Sequence, residues 1–106
     1  MVKMTKEECE NIFMNKLILQ TYEGMNKDEY PMIDAKKTIE TKYGWVFFYN
    51  SIAAIVNQDS AKGYIGNSPV LVDKFDGSIN SLDIFNHSIE NCIVNYGKTK
   101  KYLEEE

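Results

Sequence analysis

The clearest hydrophobic pattern in the chain is Trp45-Val46-Phe47-Phe48-Tyr49, an unbroken apolar and aromatic run behind a Tyr43-Gly44 break. Aromatic and β-branched runs of this length favour strands. Side chains alternate across a strand, so Trp45, Phe47 and Tyr49 share one face and Val46 and Phe48 the other. With both faces apolar, the segment reads as a central strand with helices over at least one face. Pro69 to Lys74 reads as a second strand, with Pro at the first position, where a missing N–H is tolerated. Asp76-Gly77 signals a hairpin turn, because Gly accepts positive φ. Ser78 to Leu82 is the returning strand. Ala35 to Lys42 has the look of a strand with much exposed surface. Before it, Met25 to Asp34 is polar, contains Pro31 and reads as a loop entering an extended segment. Ile52 to Val56 fits either a short helical turn or an irregular apolar stretch, and Asp59 to Gly66 reads as loop.

Two segments carry helical spacing instead. Thr5-Lys6-Glu7-Glu8 has the form of a capping box, Thr5 at the N-cap and Glu8 three residues on. A helix is predicted from Lys6 to Glu23, with Cys9, Ile12, Phe13 and Leu17 as its apolar stripe and Gly24 just beyond its end. Lys16 and Gln20 interrupt that stripe. A second helix is predicted from His87 to Tyr96, with Asn86 as N-cap, a stripe of Ile89, Cys92, Ile93 and Tyr96, and Gly97 as its stop. Residues 98–106 read as a frayed, charged tail. The expected fold is α+β: one small domain over residues 1–106, an N-terminal helix, a mostly antiparallel sheet of about four strands, and a C-terminal helix.

Composition narrows the function classes. A chain of 106 residues fits one domain. No apolar run approaches the ~20 residues of a membrane span, and no signal-peptide segment opens the chain, so a cytoplasmic protein is expected. The net charge is -4, and all 12 basic residues are lysine. This argues against nucleic-acid binding, which wants a basic face and usually arginine. Lys36-Lys37 and the Lys98, Lys100, Lys101 cluster read as solvated surface.

Candidate chemistry is sparse. The two cysteines, Cys9 and Cys92, fall on helix stripes and read as small buried hydrophobes. His87 is the single histidine, and its five-residue separation from Cys92 puts the two apart around a helix. It reads as a first-turn surface residue. Asp73 and Asp76 flank the hairpin and read as turn residues. No zinc, calcium or phosphate-loop spacing is present, so no catalytic residue, metal or cofactor is expected. In the aromatic block Phe47 and Phe48 read as core. Tyr43, Tyr49 and Tyr64 are the better surface anchors, having a polar end that tolerates solvent.

Two segments together resemble a known family. Thr38-Ile39-Glu40 is followed by Gly44-Trp45-Val46-Phe47-Phe48-Tyr49-Asn50-Ser51. Then comes Gly66-Asn67-Ser68-Pro69-Val70-Leu71-Val72-Asp73-Lys74, with Asp76-Gly77 after it. Their order and spacing resemble the immunity protein 35 family, also called the YrhB-like domain, over about Thr38 to Ser81. The resemblance implies a bacterial cytoplasmic protein of polymorphic toxin systems that binds a cognate toxin domain and blocks it without catalysis. Within the motif Gly44, Gly66, Pro69 and Gly77 are expected to be architectural, with Trp45, Phe47, Phe48 and Asp73, and Asn67 to hydrogen-bond a neighbouring turn. Exposed tyrosines and acids, namely Tyr43, Tyr49, Tyr64, Asp59 and Glu40, are the expected toxin-binding residues. The alternative is a stand-alone, chaperone-like protein- or small-molecule-binding module. It predicts exposed apolar surface or a pocket beside the Trp45 strand. Oligomeric state is left open.

Overall fold

The computed structural model describes residues 3–64 and 66–100. The capping box forms as the sequence predicts: Thr5 Oγ1 accepts the Glu8 N–H, and the Thr5 N–H donates to Glu8 Oε1. Helix α1 then runs Lys6–Ile18 and buries Cys9, Phe13 and Leu17. It stops five residues short of the expected Glu23. The N–H groups of Leu19, Gln20 and Thr21 turn back onto the carbonyls of Lys16, Leu17 and Ile18. No apolar side chain beyond Leu17 has a core to enter, and Ile18, Leu19 and Tyr22 are exposed.

Strands β1 (Pro31–Ile33) and β4 (Tyr49–Ser51) pair antiparallel, while β2 (Ile39–Glu40), β3 (Gly44–Phe47), β5 (Val70–Asp73) and β6 (Ile79–Ser81) form a four-stranded antiparallel sheet in the order β2-β3-β5-β6. The Trp45 run therefore serves both sheets: β3 is central in one, and after Phe48 the chain continues as β4 in the other. Much of the strand expected from Ala35 to Lys42 is a tight 3-10 turn at Ala35–Lys37. The Lys37 N–H closes onto the Asp34 carbonyl, and only Ile39–Glu40 pairs with β3. The Ile52–Val56 ambiguity resolves as helix α2, capped by Ser51 Oγ accepting the Ala54 N–H.

The predicted alternation holds. Phe47, with Trp45 and Tyr49, joins Val70 and Val72 against α1. Val46 and Leu71, with Phe48, face Tyr43, Leu82, Cys92 and Tyr96 on the other side. Helix α3 (Ile89–Thr99) covers that second face, so the sheet lies between two helical layers. Its start is shifted from the sequence expectation. Ser88 is the N-cap and accepts the Asn91 N–H. Asn86 is instead held by Asp83 through its backbone N–H and its side-chain amide. His87 consequently precedes the helix and is exposed. Gly97 does not end α3 but lies buried within it, and residues 98 and 99 are helical rather than frayed. The rest of the expected tail, residues 101–106, lies outside the described residues.

Three motif residues sit at tight points of the backbone. A Cβ on Gly44 would sit 1.9 Å from the Val72 carbonyl oxygen, so glycine is needed for β3 to lie against β5. Gly77 takes φ +73° in the β5–β6 hairpin. Asp73 organises that hairpin from a fully buried position, Oδ1 accepting the N–H groups of Phe75 and Asp76. Its Oδ2 accepts the Tyr96 hydroxyl at 2.5 Å, and Lys100 Nζ stands 3.8 Å away.

Candidate functional site

The reactive side chains are placed apart. Cys9 and Cys92 are free and buried, one on each side of the sheet. Burial raises both thiol pKa values, and thiols held in that state are poor nucleophiles. No group of three His, Cys, Asp or Glu side chains among the described residues is placed to hold a metal ion. Tyr96 is pushed up to about 12, first by burial and then by its hydrogen bond to Asp73. That keeps the hydroxyl a donor within a structural network.

What remains is surface, and it concentrates where the Trp45 run leaves the four-stranded sheet. The connection after α2 folds back over β4. Asn50 Oδ1 accepts the Tyr64 N–H at 2.7 Å, Ser51 Oγ donates to the Lys62 carbonyl at 2.8 Å, and Asn67 Nδ2 donates to the Tyr49 carbonyl at 2.5 Å. The Tyr64 hydroxyl donates to the Glu29 carbonyl. Tyr49 and Tyr64 meet edge to face, ring centroids 6.3 Å apart. Burial raises the Tyr64 pKa, with the carboxylate of Glu29 and the Tyr49 ring hydroxyl adding to it. Asp59 caps the short 3-10 turn of this connection by accepting the Ala61 N–H, and Lys62 is paired with Asp28 at 2.8 Å.

Of the five expected contact residues, the structure thus gathers Tyr49, Tyr64 and Asp59 on one connection and its strand. Glu40 is exposed on the edge strand β2 of the other sheet. Tyr43 is not a surface residue: it is only 5% exposed, wedged between Tyr96, at 5.8 Å between ring centroids, and the backbone of Gly97. The missing side chain at Gly97 is what admits its ring. Asn67 bonds strand β4 rather than a turn. The exposed apolar residues Leu19, Tyr22 and Phe85 were not singled out by the pattern, because isolated apolar residues in loops carry no period to read.

A cleft of about 550 Å³ opens beside this corner. The face of the β1–β4 sheet opposite α1 forms its floor, through Met32 and Asn50, with Phe48 beside them. Helix α2 and Gln58 form one wall, and the 3-10 turn carrying Lys36 and Lys37 forms the other. Gln58 has φ +56°, the one positive value at a non-glycine among the described residues. Lys36-Lys37, expected as solvated surface, stand on the rim of this cleft, and nothing local to a lysine pair shows that a tight turn will set it there.

The chain is thus a small antiparallel sheet between two helices, with a cleft beside its second sheet and both thiols buried. Residues 17–91 match the model of the immunity protein 35 family, and the chain belongs to that family. No curated protein and no solved structure matches the chain.

Proposed function

We propose that this protein is a bacterial cytoplasmic immunity protein that binds a cognate toxin domain and blocks it without catalysis. The family match over residues 17–91 carries this reading. The surface is consistent with it: Tyr49 lines a cleft next to the connection that carries Tyr64 and Asp59, and the chain as a whole carries a net charge of -4, which favours encounter with a partner of net positive charge. A stable complex needs about 800 Å² on each partner. Growth rescue tests it. The toxin-like product of the neighbouring gene is expressed in a sensitive host with and without this protein. Rescue that tracks a stable complex is the expected outcome. Absence of both, with the two proteins folded, overturns the reading for that partner.

The cleft also favours a second reading, a stand-alone, chaperone-like binding module, because such a module needs a pocket and this one is lined by Phe48 and Tyr49 at the end of the Trp45 run. Suppression of aggregation of unrelated unfolded proteins, without rescue from any toxin, would select it.

A further inference from the structure

We infer that the cleft between α2 and the Ala35–Lys37 turn is the docking site for an extended, acidic segment of the partner protein. The inference rests on the immunity reading for the partner's identity, but its chemistry comes from the cleft itself. The four-stranded sheet is covered by helices on both faces, whereas the β1–β4 sheet is covered by α1 on one face and only in part by α2 and the connection after it, leaving the cleft beside them. Its floor combines apolar Met32 and Phe48 with Asn50, whose Oδ1 already accepts the N–H groups of Ser51 and Tyr64.

Charge selects the occupant. Lys36 and Lys37 are exposed on the rim and form no ion pair with another described residue. The remaining charged lining residue is Asp34, whose carboxylate makes no capping bond, so the lining is net positive in a molecule of net charge -4. A local reversal of sign favours carboxylates in the cleft against the net negative charge of the whole chain. Gln58, at positive φ on the other side of the cleft, has a side-chain amide with no hydrogen-bond partner among the described residues and is available to a peptide backbone.

The test has two arms. In the first, binding of the neighbouring-gene toxin domain is measured for the wild type, for the double variant Lys36→Glu with Lys37→Glu, and for Ala54→Trp, which fills the cleft. The surface change Lys98→Glu serves as control. The lysine reversal removes only exposed side chains, so its fold is secure even if the tryptophan variant misfolds. The expected result is a loss of about tenfold or more for the lysine reversal, and none for the control. Wild-type affinity in the lysine reversal overturns the docking site and leaves the immunity reading standing. In the second arm, a synthetic peptide alternating glutamate and leucine is titrated while amide resonances are followed, with a lysine–leucine peptide as counterpart. Shifts confined to Lys36, Lys37, Asn50 and Gln58, with the acidic peptide alone, uphold the site even if no toxin binds. Scattered shifts, or equal shifts with both peptides, overturn it.

Discussion

Individual residues in this protein are judged by what stands next to them. A Cβ at Gly97 would lie 1.9 Å from the Tyr43 hydroxyl oxygen and 2.4 Å from its ring. Gly→Ala in a helix interior normally gains about 1 kcal/mol. Here Gly97→Ala is expected to lose about 1–3 kcal/mol in urea unfolding, the cost of overpacking; a gain would show that the ring has room to move. Asp73 and Tyr96 make the second case. The Tyr96 phenol ionises at about 12 in the folded protein against 10.0 for the free group. The folded state therefore holds its proton longer than the unfolded state. The resulting contribution, roughly 2–3 kcal/mol, is fully present below pH 10 and is lost as pH rises towards 12. Tyr96→Phe should lower stability at neutral pH by about 1–3 kcal/mol, because Asp73 Oδ2 loses its donor. The gap between variant and wild type should narrow when both are unfolded at rising pH above 10. These roles were only half legible. The Asp-Gly hairpin and the tight passage at Gly44 follow from backbone needs written in the sequence. The Tyr43–Gly97 contact joins residues far apart in the chain, and no local pattern announces it.

At the scale of elements, alternation was the most readable signal and helix ends the least. The Trp45 run divided its side chains between two faces as period two demands, because each face had a core to fill. Its break at Phe48 was not readable, since a switch between sheets changes the partner strand and not the residue pattern. Helix starts turn on which of two capping residues wins. Both Asn86 and Ser88 are good N-caps, but Asp83 occupies Asn86, so Ser88 takes the position. Ser88→Ala should accordingly cost about 1 kcal/mol by thermal or urea unfolding, and Asn86→Ala clearly less. Equal costs would mean that the loop before α3 contributes as much as the cap. Thr5→Ala removes the hydroxyl that accepts the Glu8 N–H, while the bond from its own backbone N–H to Glu8 Oε1 can persist, and should also cost about 1 kcal/mol.

For the whole molecule, charge and layering set behaviour. If the partner is a basic toxin, association with a chain of net charge -4 should be fastest at low ionic strength and slow as salt screens the attraction, measured by stopped flow. A rate independent of salt would remove long-range steering from the account. The candidate surface was legible only in part: residue type alone suggested Tyr49, Tyr64 and Asp59, but their gathering beside the cleft depends on how the connection after α2 folds back onto β4. The two buried thiols have a separate consequence. Cys9 lies in the layer under α1 and Cys92 in the layer under α3, and neither is disulfide-bonded. Reaction with a thiol reagent requires the layer concerned to open. The two modification rates, resolved by peptide mapping, are therefore independent clocks for the lifting of each helix. Matching rates across a denaturant series would mark a molecule that opens as one, and a faster rate at Cys92 would mark an α3 that peels away while the α1 side stays shut.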